Sequence, residues 1–137
     1  MSMNRRRAAL VLAGAACAVL ATPAYALDLN GFRAQHGRPA LHYSSTLAGA
    51  AYEQAHSMAS RNHLDHNGFR KRAAFSGSTA AENVAYGCGT EDCVIKMWAR
   101  SSGHRRNMLR GDVSHYGIAS ATGANGRRYW ALELGGE

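Results

Sequence analysis

Between positions 44 and 62 the apolar residues recur with a period close to that of an α-helix. Leu47, Ala50, Ala51, Gln54, Ala55, Met58 and Ala59 share one side, and Ser44 or Ser45 can cap the start. The face is largely alanine, which predicts close packing against a neighbouring element. A shorter helix is predicted over 29–36, with Leu29, Phe32 and Arg33 on one side and Gly37 and Pro39 as stops. A third is predicted over 91–100. Val94, Ile95, Met97 and Trp98 form its apolar face, and Glu91 and Asp92 suit the positive end of the helix dipole. Residues 63–81 read as a long loop, rich in Gly, Ser and basic side chains, of the kind that often carries function.

The period then changes to two. Tyr116, Ile118 and Ser120 alternate with Gly117, Ala119 and Ala121, and Tyr129, Ala131 and Glu133 alternate with Trp130, Leu132 and Leu134. Gly123-Ala124-Asn125-Gly126 lies between, and Asn-Gly favours a tight hairpin. Helices first and an antiparallel hairpin last predict an α+β fold, not a doubly wound parallel sheet.

The N-terminus changes the picture of what the working protein is. Arg5, Arg6 and Arg7 precede an uncharged apolar stretch over 8–21, and Pro23-Ala24-Tyr25-Ala26 supplies small residues for cleavage. Residues 1–26 therefore read as a signal peptide, too short in its apolar part for a membrane span, and 27–137 as a single domain. The expected location is secreted or periplasmic, with no transmembrane segment after cleavage. The formal charge of +7 includes those three Arg, so the mature part carries a modest +4. That excess is too small and too dispersed for nucleic acid. The Arg residues, Arg33 and Arg72 among them, read as a solvated basic surface. A second reading is attraction to an anionic envelope polymer or lipid. Cys17 leaves with the signal. Cys88 and Cys93 are expected to form a short-loop disulfide contributing roughly 2 kcal/mol, since a zinc site would need two more ligands.

Polar residues that the helices and hairpin do not require fall in three segments. They are His63-Leu64-Asp65-His66, Ala81-Glu82-Asn83-Val84-Ala85-Tyr86-Gly87, and the stretch from Trp98 through Ser101, Gly103-His104-Arg105 and Asn107. With Leu29-Asn30, Arg33, His36-Gly37, Pro39, Leu41 and Tyr116-Gly117-Ile118, this ordered set resembles the CAP superfamily. That superfamily comprises cysteine-rich secretory proteins, antigen 5 and pathogenesis-related proteins of class 1, and the likeness is to its short bacterial form. The resemblance implies an α-β-α sandwich with a small antiparallel sheet between helices. It also implies a cleft in which His66, Glu82 and His104 meet, with Ser101 where fuller members carry a second acid.

Two imidazoles and a carboxylate can hold zinc or another divalent metal with one position open, so His66, His104 and Glu82 are the candidate ligands. No cofactor is otherwise required. The alternatives are a hydrogen-bonded network centred on Glu82, or a metal pair of His63 and His66 if their segment is helical. No Ser or Cys stands in a nucleophile motif, so no catalytic residue is assigned. The leading expectation is binding of a lipid- or sterol-like ligand or an envelope component. A metal-dependent hydrolase and a structural envelope protein are the alternatives. Trp98 and Met97 are expected in the core, and Asn83 is expected to bond backbone in its loop. His36, His42, His56 and His115 are expected at the surface without evident partners. Arg110-Gly111-Asp112 reads as a chance tripeptide.

Overall fold

A computed structural model describes residues 25–74 and 80–136. All but the last two residues of the expected signal peptide lie outside that range. Helix α1 (Leu29–Gln35) starts where the Asp28 side chain accepts from the Gly31 N–H at 2.6 Å. Strand β1 (His42–Tyr43) leads into α2 (Ser45–Arg61), capped by the Ser44 hydroxyl and closed by Asn62 in the left-handed region at φ 50°. Then follow α3 (Phe69–Ala73), β2 (Ala80–Tyr86), α4 (Glu91–Ala99), α5 (Ser102–Met108), β3 (His115–Thr122) and β4 (Arg128–Gly135). The Thr90 hydroxyl caps α4, as its sequence position allows.

The strands lie in the order β1-β3-β4-β2. β3 and β4 form the expected hairpin around a turn in which Gly126 has φ +78°. β2 pairs antiparallel with β4, but β1 pairs parallel with β3. The sheet is therefore mixed rather than wholly antiparallel. Helices cover both faces. On one face Ala51, Ala55, Met58 and Ala59 of α2 pack on Val84, Tyr129 and Ala131. On the other, Leu29, Phe32, Ile95, Trp98 and Met108 pack on Leu132 and Leu134.

The alanine face of α2 has a specific counterpart. A Cβ on Gly117 of β3 would fall inside the backbone of Leu47 and Ala48, so only glycine lets the helix rest directly on the strand. The Cys88–Cys93 disulfide is present, with its Cα atoms 5.5 Å apart. It ties the end of β2 to the first turn of α4.

Several expectations are corrected. The segment 63–81 is not one loop, because it contains α3 and the start of β2. Arg33 is not solvated. Its guanidinium is buried and donates to three carbonyls, those of Pro39 at 2.9 Å, Met108 at 2.8 Å and Arg110 at 2.9 Å. Burial, with a smaller effect of Arg38, lowers its pKa. Arg72 is likewise buried. Trp98 is in the core as expected, but Met97 is 37% exposed. The histidines do have neighbours. The His36 ring meets Phe32, His56 stacks near Tyr52, and His42 faces His115 across the β1–β3 register.

Two glycines give opposite outcomes in a urea melt. Gly117→Ala forces backbone apart and is expected to cost at least about 3 kcal/mol, beyond ordinary overpacking. Gly49→Ala meets open space within α2 and is expected to gain roughly 0.5–1 kcal/mol from helix propensity.

Candidate functional site

β2 is an edge strand, and its local geometry sets the site. Gly87 donates to the Arg128 carbonyl, so alternate residues back from it face β4. The carbonyls of Glu82 and Val84 therefore point outward. Trp98 Nε1 donates to the Val84 carbonyl at 3.2 Å, and Asn107 Nδ2 reaches the Glu82 carbonyl at 3.5 Å. Asn83 is fully buried. Its amide donates to the His104 carbonyl at 3.0 Å and its oxygen accepts from Asn107 at 2.9 Å. It thus bonds backbone as expected, but from a strand rather than a loop.

The Glu82 side chain turns to the α2 side of the sheet, directly opposite Glu133 of β4. Arg72 of α3 binds both its oxygens, Nε to Oε2 at 2.6 Å and Nη2 to Oε1 at 2.9 Å. His66 Nδ1 lies 2.7 Å from Oε1. The same guanidinium donates to the Asn67 carbonyl at 2.6 Å and places Nε 3.2 Å from Glu133 Oε1. That last oxygen is buried and has no hydrogen-bond partner among the described residues.

Two carboxyl groups side by side out of water cannot both ionise. Burial pushes Glu133 up, and its hydrogen bond with Glu82 and the charge there add to the shift, to about 10. Burial would also raise Glu82, but its bonds to Glu133, Arg72 and His66 outweigh that and hold it below the ordinary range. At neutral pH the pair is one carboxylate, Glu82, and one neutral acid, Glu133.

The sequence-derived site residues fall beside two cavities on the outer side of β2. His66 and Glu82 line one of about 420 Å³, together with Phe69 and Asn107. His104 and Ser101 line another of about 460 Å³, walled by Leu64, Tyr86, Met97 and Trp98. Burial and the nearby charge of His66 lower the pKa of His104, which keeps that imidazole neutral at neutral pH. Ser101 precedes α5 without a side-chain capping bond.

This arrangement does not fit a three-ligand zinc site. Both oxygens of Glu82 and Nδ1 of His66 are already engaged, and His104 lines the other cavity. Among the described residues no three His, Cys, Asp or Glu side chains converge on a metal position. The His63–His66 pair also fails its condition. Residues 63–66 are not helical, and the His63 ring points toward Asp65 at 3.9 Å. Arg110 closes on Asp112 through two bonds of 2.8–2.9 Å.

The sequence profile of the CAP: Cysteine-rich secretory protein family matches residues 28–134. The chain belongs to that family. Two Bacillus subtilis (strain 168) proteins are similar in sequence. YkwD is 32% identical over 97 residues, and the membrane protein YlbC is 30% identical over 101. These matches take in 65% and 67% of this chain but 38% and 29% of the relatives, so the chain spans about a third of their length. Among solved CAP-like structures, an outer surface protein from Borrelia burgdorferi aligns with TM-score 0.71 at 18% identity, covering 80% of this chain and 86% of that one. An extracellular protein containing a SCP domain from Bacillus anthracis str. Ames aligns with TM-score 0.66 at 21% identity, covering 80% and 38%. These establish the CAP fold of the chain.

Within this CAP domain Arg72 and Glu133 were not anticipated. Glu133 carried a signal, since it shares strand parity with Tyr129 and Ala131, both inward-facing. Arg72 carried none, standing in the basic run Arg70-Lys71-Arg72.

The protonated Glu133 makes a signed prediction. Its folded pKa lies above the unfolded value, so its contribution is complete below about pH 4.3 and declines as pH rises toward 10. The slope is at most about 1.4 kcal/mol per pH unit. Glu82 acts oppositely, and its contribution is lost as acid titrates it. Chemical denaturation at a series of pH values is expected to show a decline from pH 5 to 9 in the wild type. Glu133→Gln keeps a neutral donor and is expected to flatten it.

Proposed function

We propose that this CAP domain is an exported binding protein that takes a lipid- or sterol-like molecule into the cavity beside His104. The supporting observation is the wall of that cavity. It encloses about 460 Å³, within the range of small-molecule sites. Leu64, Tyr86 and Met97 line it while 37–44% exposed, an arrangement that apolar contact with a ligand would relieve. The neutral His104 and the Ser101 hydroxyl are the polar groups available to fix a ligand's orientation. Export is supported by the signal-like N-terminus. It is also supported by membership of a secretory protein family and by the likeness to an outer surface protein and an extracellular protein.

A hydrolase is the second reading, favoured by one observation. His66 is held at Nδ1 by the Glu82 carboxylate while half its side chain is exposed, the orientation a general base needs. The metal-dependent form of that reading lacks a ligand set, and a base without an adjacent nucleophile would have to activate water.

Fluorescence anisotropy with a labelled fatty acid and a labelled sterol tests the binding reading. Met97→Lys places a charge on the cavity wall and is expected to weaken binding at least tenfold, roughly the cost of 1.4 kcal/mol. His66→Ala is expected to leave it unchanged. Absence of binding at micromolar protein contradicts the proposal, as does loss with His66→Ala alone. Ester or peptide hydrolysis abolished by His66→Ala would favour the second reading.

A further inference from the structure

The mouth of the His104 cavity carries more than a pocket. Leu64, Tyr86 and Met97 come from three separate segments and stand together there, each more than a third exposed. The chain that supplies Met97, Ser101 and His104 carries charge of one sign. From Cys93 to Gly111 the chain carries Lys96, Arg100, Arg105, Arg106 and Arg110 and no acid. Lys96 and Arg110 are neutralised by Asp92 and Asp112. Arg100, Arg105 and Arg106 are exposed and have no carboxylate partner among the described residues. Arg100 lies one turn beyond Met97 and Arg105 one turn beyond Ser101, each donating its N–H to the carbonyl of that cavity-lining residue. The Arg127 guanidinium lies 5.0 Å from the centroid of the Tyr86 ring, so a further cation sits at the rim. The acid nearest Leu64 in sequence, Asp65, is held by Arg61 at 2.7 Å.

We propose that this face seats on an anionic lipid bilayer, with Leu64, Tyr86 and Met97 entering the interface and Arg100, Arg105 and Arg127 meeting lipid phosphates. Charge complementarity selects the partner. Unpaired guanidinium groups attract a negatively charged surface and bind phosphate oxygens in pairs. Tyrosine, with an apolar ring and a polar tip, suits the boundary between headgroups and acyl chains. A bilayer accommodates separated apolar side chains without needing a shaped counterpart. The inference does not rest on uptake of a ligand, because a domain that docks and takes up nothing retains it. Conversely, a domain that binds a dissolved sterol but ignores vesicles keeps the proposed function and loses this inference.

Sedimentation of the purified protein with large vesicles tests it. Vesicles of phosphatidylcholine alone are compared with vesicles containing an equal part of phosphatidylglycerol, at low and high salt. Binding is expected only to the anionic vesicles and is expected to fall with salt. Each Arg removed is expected to weaken partitioning about fivefold, so Arg100→Gln/Arg105→Gln loses roughly 25-fold. Leu64→Ser/Met97→Ser is expected to lose roughly tenfold. All four positions are exposed, and thermal melts of both variants check that the fold is kept. Equal binding to both vesicle types overturns the proposal, as does anionic binding indifferent to the Arg pair. Indifference to Leu64→Ser/Met97→Ser overturns the seated geometry. Binding to soluble polyglutamate through Arg100 and Arg105, with no vesicle binding, assigns the face to an acidic protein instead.

Discussion

Glu82 sits on an edge strand with its carboxylate out of water, and a lone charge in that position would cost several kcal/mol. Arg72 answers it with a two-point ion pair, His66 with an imidazole nitrogen, and Glu133 with a shared proton. Each partner belongs to a different part of the chain. Arg72 brings α3 onto the sheet, His66 brings the segment after α2, and Glu133 lies on the neighbouring strand. Matching one charge therefore ties α3 and the segment after α2, which have few apolar residues of their own, to the apolar strands β2 and β4. It also fixes the His66 ring in one orientation with its far side open.

The outer edge of β2 is closed by the same logic of satisfied polar groups. Trp98 and Asn107 take up two of its outward carbonyls, and Asn83 binds α5 through the His104 carbonyl. Side chains thus do what a further strand would do, which blunts the edge against pairing with another chain. Because α4 and α5 are pinned there, their residues line both cavities. Asn107 reaches the His66 side, and Ser101 and His104 form part of the other. The candidate site residues of this domain are positioned by edge capping as much as by core packing.

How much of this could be read from residues alone depended on periodicity. α2 and the β3–β4 hairpin each bury one face, and their periods of 3.6 and two are plain. β2 escaped because Ala81 to Ala85 are buried on both faces and alternate nothing, while Glu82 and Asn83 made it look like a loop. α5 has seven residues and one buried side chain, Met108, too few to show a face. β1 has two residues and exists only through its pairing with β3. His66, Glu82 and His104 were legible through their order along the chain. What the order could not show was that Arg72 occupies the Glu82 carboxylate, which removes it from a metal site. Nor could it show that Arg33 is buried on carbonyls, since both arginines look like ordinary surface charge until long-range contacts are known.

One buried ionic network organises this side of the domain. A double-mutant cycle on stability tests it most directly, using Arg72→Met, Glu82→Gln and both together in urea denaturation. Each single change strands a buried polar group, and each is expected to cost about 3–5 kcal/mol. Removing both takes the buried charge away together with its counter-charge, so the double variant is expected to be at least about 2 kcal/mol more stable than the sum of the single costs implies. Costs that add to within roughly 0.5 kcal/mol would contradict the account, because that is the behaviour of independent residues.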